Sequence, residues 1–321
     1  MHENTEMRAV MASLIGQAMD RDDDVMILDA DLAGANGNAA LYKKKPERCL
    51  NVGVAECNMA SVAAGLASYG FKPFIYTFAP FATRRICDQI AVSIVYAGMN
   101  VKIVGSDPGL SAAYNGGTHM TMEDVGVMRS LPGMTIFEPT DGDQLAKAFP
   151  HILAHEGPMY IRLHRKTPQA TFFAGGDYVF RPGKADVLRS GGDVTLFATG
   201  VLVKEAVDAA EVLAAQGVSA EVVNIHTIKP VDAGGVVESV RRTGCAVTCE
   251  NHNIIGGMGS AVAEALAARH PAPVEFVGMK DAFSEVGQMN PLIKKYGMDA
   301  EAIAAAALAA IRRKREAAAA V

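Results

Sequence analysis

The sequence predicts an α/β protein of two domains, each built on a mostly parallel sheet flanked by helices. Short apolar runs with strand composition alternate with helical patterns along most of the chain. Such alternation is typical of a parallel sheet that helices cover on both faces. A turn-rich stretch at residues 171–190 interrupts the alternation, and a length of 321 residues fits two domains.

The first domain is predicted over residues 1–170 and opens with a helix at 6–20, whose apolar side chains repeat at helical spacing. The apolar run 25–28 then enters Asp29-Ala30-Asp31-Leu32, which indicates a buried strand that delivers polar groups at its carboxyl end. The remaining elements of this domain are predicted as strands at 50–54, 72–78, 101–106, 134–138 and 158–163, and as helices at 56–69, 84–97 and 142–155.

Residues 171–190 are predicted to be a linker, because they are rich in glycine and contain the turn signal Arg181-Pro182-Gly183. The second α/β domain follows at 191–321. Its elements are predicted as strands at 194–198, 220–225, 245–249 and 274–278, and as an alanine-rich helix from about residue 299.

Composition excludes several classes of function. The formal net charge is -5, and the basic cluster Arg312–Arg315 is interpreted as a solvated helix end, so we expect no nucleic-acid partner. No apolar run approaches the roughly 20 residues of a membrane span, and no secretory signal begins the sequence. Five cysteines without CxxC spacing indicate free thiols, so a cytoplasmic protein without a membrane partner is predicted.

The loops after the strands of the first domain are the place to expect a site, since ligands of open α/β sheets bind beyond the carboxyl ends of the strands. These loops are rich in polar or aromatic residues. They are residues 29–38, 53–58, 77–85, 105–120 and 162–168.

Three of these loops carry candidate chemistry. Glu56 starts a helix directly after a strand, where it could merely complement the helix N-terminus. Phe78 and Phe81 stand where a core strand ends, and they suit either core packing or a platform for a flat ring. The long glycine-rich loop 107–119 ends in His119, which is a candidate for proton transfer.

Together these segments resemble the pyrimidine-binding and C-terminal domains of transketolase and its relatives, over essentially the whole chain. The relatives include deoxyxylulose-phosphate synthase and the beta subunits of 2-oxo acid dehydrogenases. The motifs that carry the resemblance are Asp29-Ala30-Asp31-Leu32, Gly53-Val54-Ala55-Glu56, Thr77-Phe78 to Phe81, and Gly117-Thr118-His119. The resemblance implies the C-terminal subunit of a split transketolase, which uses thiamine diphosphate to transfer a two-carbon ketol unit from a ketose to an aldose.

The resemblance also implies how the cofactor is held. Glu56 matches the family glutamate that hydrogen-bonds N1′ of the aminopyrimidine, and it is thereby the first candidate catalytic residue. Phe78 and Phe81 match the aromatic residues that pack on that ring. Asp31 matches an aspartate near cofactor and substrate, and Arg84 replaces an aromatic residue of the pyrimidine pocket.

Substrate binding is implied for a second set of residues. His119 matches a histidine that orients donor hydroxyls and helps to move protons, so it is the second candidate catalytic residue. Arg165 matches an arginine that grips the distal anion of the sugar, and Arg8 is a weaker match to another such arginine. Asn115 stands where the family has an aspartate that reads a donor hydroxyl.

Several of these positions depart from the usual transketolase pattern. Ser106 or Asp107 stands where the family presents a phosphate-contacting histidine, and Ala35 or Asn36 where it presents a serine. These departures argue against ordinary pentose-phosphate substrates and leave a branched or sulfonated sugar open.

The family motif that binds Mg²⁺ and diphosphate, Gly-Asp-Gly with a downstream Asn, does not occur in this sequence, and no metal ligands are predicted in it. The resemblance therefore implies a separate N-terminal subunit that holds the metal and the diphosphate, in an α₂β₂ assembly.

Other functions stay open on the sequence alone. A 2-oxo acid dehydrogenase beta subunit would share Glu56 and the fold, but the loop ending at His119 offers more hydroxyl-reading groups than a short oxo acid needs. A deoxyxylulose-phosphate synthase fragment is less favoured, because that enzyme normally keeps its domains in one chain. A scaffolding subunit is disfavoured by the retention of Glu56, both phenylalanines and His119. A dinucleotide-binding oxidoreductase lacks its GxGxxG motif after the first strand.

Overall fold

The computed structural model describes residue 2 and residues 4–319 of the chain. Its strands are, in chain order, β1 (Val25–Asp29), β2 (Cys49–Asn51), β3 (Lys72–Phe78), β4 (Lys102–Ser106), β5 (Thr135–Phe137), β6 (Met159–Leu163), β7 (Asp186–Arg189), β8 (Val194–Ala198), β9 (Ala220–Asn224), β10 (Thr227–Lys229), β11 (Ala246–Asn253) and β12 (Val274–Met279). Its helices are α1 (Met7–Met19), α2 (Ala39–Lys44), α3 (Glu56–Ser68), α4 (Ala79–Ala82), α5 (Cys87–Gln89), α6 (Asp124–Ser130), α7 (Gly142–Ala154), α8 (Leu202–Ala214), α9 (Ala233–Thr243), α10 (Met258–Arg269), α11 (Met289–Lys295) and α12 (Ala300–Ala319).

The first sheet has seven strands in the order β10-β5-β6-β4-β3-β1-β2. All neighbours pair in parallel except β10, which runs antiparallel to β5. Every residue of β1, β4 and β6 is buried, as expected for continuous apolar runs inside a parallel sheet with two covered faces. The second sheet has the order β12-β11-β8-β9-β7 and is parallel apart from its edge strand β7. The predicted fold class is confirmed.

Two short strands do not follow the predicted division into domains and linker. β7 lies inside the predicted linker 171–190, and β10 belongs to the second half of the chain but completes the first sheet. The domain bounds 1–170 and 191–321 therefore stay a prediction. The first sheet, however, includes a strand from beyond residue 170, because β10 pairs with β5.

The helix predicted at 84–97 forms, but as a series of different helical turns rather than as a regular α-helix. The chain instead forms a 3₁₀ turn at Arg84–Ile86, one turn of α5, and a π-helix at Ile90–Tyr96. The sequence Ile90-Ala91-Val92-Ser93-Ile94-Val95 is rich in β-branched residues, which lose side-chain freedom in a regular α-helix. Wider π turns of this kind occur mostly as short pieces at functional sites.

A buried charged cluster joins the two halves of the molecule. Arg162 on β6 contacts Asp124 with Nε at 2.7 Å and Glu138 with Nη1 at 2.6 Å. Its Nη2 also donates to the carbonyl of Asn251 on β11, at 2.7 Å. The Asn251 side chain in turn accepts a hydrogen bond from the amide of Leu110, at 2.8 Å. The loop that leads to His119 is thus anchored on the second half of the chain.

Candidate active site

The loops after the parallel strands of the first sheet meet at its carboxyl edge, as the strand order requires. The backbone is strained there. Asp31, Asp107 and Ala113 adopt φ angles of 63°, 50° and 48°, in the left-handed region that costs about 1–2 kcal/mol for a residue other than glycine. Residues held in this way cluster at functional sites, where the surrounding structure fixes them.

Glu56 is the first residue of α3, and its side chain is buried although it is charged. Its Oε1 lies 2.9 Å from Nη1 of Arg85. The loop before it is fixed by Asn51, whose Oδ1 accepts hydrogen bonds from the amides of Gly53 at 2.9 Å and Asp31 at 3.1 Å. A buried carboxylate is thus presented on a rigid turn between a strand and a helix.

Phe78, Phe81 and His119 form one aromatic cluster. The His119 ring centroid lies 5.6 Å from that of Phe78 and 5.2 Å from that of Phe81, both edge to face. The two phenylalanine rings are 6.2 Å apart and nearly perpendicular. Nδ1 of His119 is 2.9 Å from Oγ1 of Thr118, which orients the imidazole. Edge-to-face pairs at these separations are favourable geometries for aromatic rings.

Arg85 connects Glu56 to this aromatic cluster. Its guanidinium carbon lies 3.9 Å from the centroid of Phe81, while its Nη1 donates to the Glu56 carboxylate. A planar group with N–H donors therefore fits between the carboxylate of Glu56 and the ring of Phe81. An aminopyrimidine ring protonated at N1′ would make the same two contacts, so these residues fit the ring of thiamine diphosphate.

Two arginines converge beside the aromatic cluster. Nη1 of Arg8 is 2.8 Å and Nη1 of Arg165 is 3.4 Å from the carbonyl oxygen of Ala35. The guanidinium carbon of Arg165 also lies 5.2 Å from the centroid of Phe78. Because guanidinium groups match the oxygens of phosphate-like anions, this arginine pair can hold an anionic group close to the aromatic rings.

Each arginine of the pair has a carboxylate partner. Nε of Arg8 lies 2.6 Å from Glu6, and Nε of Arg165 lies 2.8 Å from Asp107. Lys166 contacts the same Glu6 at 3.3 Å. Asp107 is 1% exposed, and its burial raises the pKa of its carboxyl to about 6, against the opposing effect of the Arg165 cation. The surroundings of the arginine pair thus contain negative as well as positive charge.

Comparison with known proteins identifies the fold. The profile of the "Transketolase, pyrimidine binding domain" family matches residues 3–169, and that of the "Transketolase, C-terminal domain" family matches residues 183–303. Together they cover most of the chain.

The chain belongs to the transketolase family.

Similar proteins include subunits of split transketolases. The chain is 50% identical to "6-deoxy-6-sulfo-D-fructose transketolase subunit SqwH" of Clostridium sp. (strain MSTE9), over 96% of this chain and 95% of that protein. It is 35% identical to an apulose-4-phosphate transketolase subunit of Actinobacillus succinogenes, over 89% and 92% of the two chains. A solved structure described as "Split gene transketolase, inactive beta4 tetramer" superposes with a TM-score of 0.87 at 39% identity, over 96% of this chain and 99% of that one. The recognition of the family from sequence motifs is confirmed.

The structure of this transketolase chain brings most of the predicted site residues together. Glu56, Phe78, Phe81 and His119 are linked through direct contacts and through Arg85, and Arg165 and Arg8 adjoin them. Their roles stay predictions.

Three other predicted residues make contacts of a different kind. Arg84 pairs with Glu123 at 2.7 Å and donates to the carbonyl of Thr118 at 3.4 Å. Asp31 is exposed and shares hydrogen bonds with Asn51. Asn115 is exposed as well. Their predicted roles with cofactor or substrate are not tested by these contacts.

Sequence reasoning missed Arg85, which contacts both Glu56 and Phe81. The only signal was its position directly after Arg84, four residues beyond Phe81 in a loop already singled out. Glu6 was missed too, because its pairing with Arg8 is not part of any motif.

The described part of the chain (residue 2 and residues 4–319) contains no group of three or more His, Cys, Asp or Glu side chains that could hold a metal ion. Among the same described residues, no helix is both long and apolar enough to span a membrane.

Proposed function

We propose that this chain, with a separate N-terminal subunit, forms a thiamine-diphosphate-dependent transketolase whose donor is a ketose with a sulfonate at its far end. Ketol transfer as such follows from membership of the family and from the transketolase subunits among its relatives. The observation that carries the proposal is the convergence of Glu56, the aromatic cluster and the arginine pair on one edge of the sheet.

Glu56, Phe78 and Phe81 would hold the aminopyrimidine ring of the cofactor. This placement is supported by the planar guanidinium of Arg85, which contacts both Glu56 and Phe81. When bound, thiamine diphosphate supplies the carbon nucleophile and the electron sink of ketol transfer. The part of this chain is to orient that ring, to place His119 within reach of donor hydroxyls, and to keep the reacting groups against apolar rings.

The sulfonated donor rests on two supports. A relative with half of its residues identical is a subunit that acts on 6-deoxy-6-sulfo-D-fructose, and the arginine pair offers this chain a place for an anionic end group. A phosphorylated branched sugar is the second candidate, because two relatives named for apulose 4-phosphate are 35% and 32% identical.

The partner subunit would bind Mg²⁺ and the diphosphate, since the sequence of this chain lacks the Gly-Asp-Gly motif. We propose an α₂β₂ assembly, in keeping with relatives that are named as subunits. The cytoplasmic location stays a prediction, and all five cysteines are free thiols.

The test is to reconstitute the chain with the N-terminal subunit of a split transketolase, and to measure ketol transfer from a sulfonated ketose to an aldose with thiamine diphosphate and Mg²⁺. We expect activity that needs both chains and that falls at least about 100-fold in Glu56→Gln. Glu301→Gln is the matched control, since it removes an exposed carboxylate from the first turn of another helix.

Other results would assign the chain differently. Oxidative decarboxylation of a 2-oxo acid without ketol transfer would favour a 2-oxo acid dehydrogenase. Full activity of Glu56→Gln would remove Glu56 from the mechanism.

A further inference from the structure

The arginine pair sits in a set of five charged side chains, in two groups that meet at the carbonyl oxygen of Ala35. Arg8 contacts Glu6, Arg165 contacts Asp107, and Lys166 reaches Glu6. Three cations therefore face two carboxylates, and the set carries one net positive charge when all five are ionised. Without Asp107 and Glu6 the same cations would carry three charges.

Asp107 is the carboxylate placed most firmly in this set. It is buried, its Oδ1 accepts a hydrogen bond from the amide of Arg165 at 3.1 Å, and its Oδ2 lies 2.8 Å from Nε of the same residue. Its φ of 50° lies in the left-handed region, which a structure keeps only when surrounding contacts fix it. Glu6 is a looser partner, because its side chain is 33% exposed.

One further polar group points to an anion at this place. The hydroxyl of Tyr76 is buried and has no hydrogen-bond partner in the described part of the chain. Asp107, Arg165 and Arg8 all lie close enough to act on it electrostatically. A buried hydroxyl is ordinarily hydrogen-bonded, so this O–H is a donor suited to an oxygen of a bound sugar tail.

We propose, resting on the function proposed above, that Asp107 is a specificity-determining residue that makes the arginine pair favour a monoanionic sulfonate over a dianionic phosphate. A sulfonate carries one charge at neutral pH, whereas a phosphate monoester carries about 1.5 to 2. A site with one net positive charge neutralises a bound sulfonate. With a bound phosphate the same site keeps a net negative charge. The carboxylate of Asp107 repels each additional negative charge, and burial makes that repulsion stronger than in water.

The experiment uses the reconstituted two-subunit enzyme and two donors that differ in the tail, 6-deoxy-6-sulfo-D-fructose and D-fructose 6-phosphate. The readout is the ratio of kcat/KM for the sulfonate donor to that for the phosphate donor. We expect Asp107→Asn to shift this ratio toward phosphate by about tenfold, mainly through KM. Asparagine tolerates the left-handed backbone and can still accept the hydrogen bond from the Arg165 amide.

Two more variants separate charge from fold. Glu6→Gln removes the other carboxylate of the set, and it should shift the ratio in the same direction but less, because solvent screens Glu6 more. Asp208→Asn makes the same chemical change on the exposed face of α8, where Asp208 pairs with Lys204, and should leave the ratio unchanged.

The outcomes distinguish the two levels of the proposal. If the unaltered enzyme prefers the phosphate donor, the sulfonated substrate of the proposed function falls. If it prefers the sulfonate but Asp107→Asn leaves the ratio unchanged, Asp107 does not set the preference and this inference falls alone. A loss of activity toward both donors in Glu56→Gln, with the ratio shift in Asp107→Asn, supports both.

Discussion

At the scale of single residues, Arg85 would compete with the proposed cofactor ring for Glu56. Its guanidinium stacks on Phe81 and pairs with Glu56, which are the two contacts that an aminopyrimidine would make. The two groups cannot occupy the same space, so Arg85 would have to leave before the proposed cofactor ring could enter. Since the Arg85 side chain is 44% exposed, solvent screens its ion pair, and such pairs contribute at most about 1 kcal/mol.

We therefore predict that Arg85→Ala strengthens thiamine diphosphate binding to the reconstituted enzyme by up to about fivefold. The dissociation constant can be measured by calorimetric titration in the presence of Mg²⁺. Arg313→Ala is the control, because Arg313 forms a comparable exposed ion pair on the last helix, with Glu275 at 2.7 Å. Weaker binding in Arg85→Ala would show instead that Arg85 helps to hold the cofactor.

At the scale of secondary structure, the cluster around Arg162 ties β6, α6 and β11 together. Burial alone would raise the pKa of Asp124, but the charge of Arg162 holds the pKa of that carboxyl below its ordinary value. Burial raises the pKa of Glu138, and Arg162 offsets this only in part. Arg162 thus has one carboxylate partner that is firmly ionised and one that burial drives toward the protonated form.

This difference predicts unequal costs for two similar substitutions. Asp124→Asn should lower the free energy of unfolding by about 3–5 kcal/mol, because it leaves Arg162 short of its charged partner in the interior. Glu138→Gln should cost clearly less, since glutamine resembles the protonated carboxyl and can still accept a hydrogen bond from Arg162 or Thr199.

Thermal melts at several pH values measure both effects. The stability from Asp124 is present above its unfolded pKa of about 3.9 and is lost as pH falls through the lower folded pKa. Glu138 has the opposite effect on stability, because its pKa is higher in the folded protein than in the unfolded chain. Its destabilising contribution grows as pH rises above its unfolded pKa. Equal losses in the two variants at pH 7 would contradict this division of roles.

The hydrophobic pattern of the sequence predicted the long elements well, because these elements are defined by the burial of their apolar residues. The strand predicted at 72–78 coincides with β3, and that at 194–198 coincides with β8. β7 and β10 were missed, since three or four residues show too little periodicity and β10 exists only by pairing with β5 across the chain. The π-helix was missed because an apolar pattern does not distinguish wide turns from regular ones.

The candidate site was predictable only where it lies at strand ends. Phe78 ends β3, and Glu56 follows β2 after a short turn, so both could be found from the expected edge of the sheet. Their partners could not, because the Arg85–Glu56 pair spans 29 residues and the Asp107–Arg165 pair spans 58. Contacts over such distances depend on loop conformations that local sequence does not specify.

At the scale of the whole molecule, the two halves share a sheet as well as the Arg162 cluster. His226, just before β10, lies at this junction and is fully buried. Its carbonyl accepts a hydrogen bond from the amide of Glu138 at 2.8 Å, and its ring lies 5.9 Å from Phe137 and 4.6 Å from Phe180. The junction is therefore built around an imidazole enclosed by aromatic rings.

Burial lowers the pKa of His226 to about 4, which makes the junction sensitive to acid. In the unfolded chain a histidine titrates near 6.5, so the unfolded state binds more protons between about pH 6.5 and pH 4. The stability contributed by the neutral ring is therefore present above that window and is lost as pH falls through it. The full shift corresponds to about 3 kcal/mol.

We predict that His226→Gln flattens the fall of the melting temperature between pH 6.5 and pH 4, whatever its effect on stability at pH 7. Part of the fall should remain, because burial also lowers the pKa of His164 to about 4. His151→Gln is the control, since His151 packs against the same Phe180 ring at 5.5 Å but is exposed. An unchanged slope in His226→Gln would mean that the acid sensitivity of the fold lies outside the junction, and the buried His164 would then be the place to seek it.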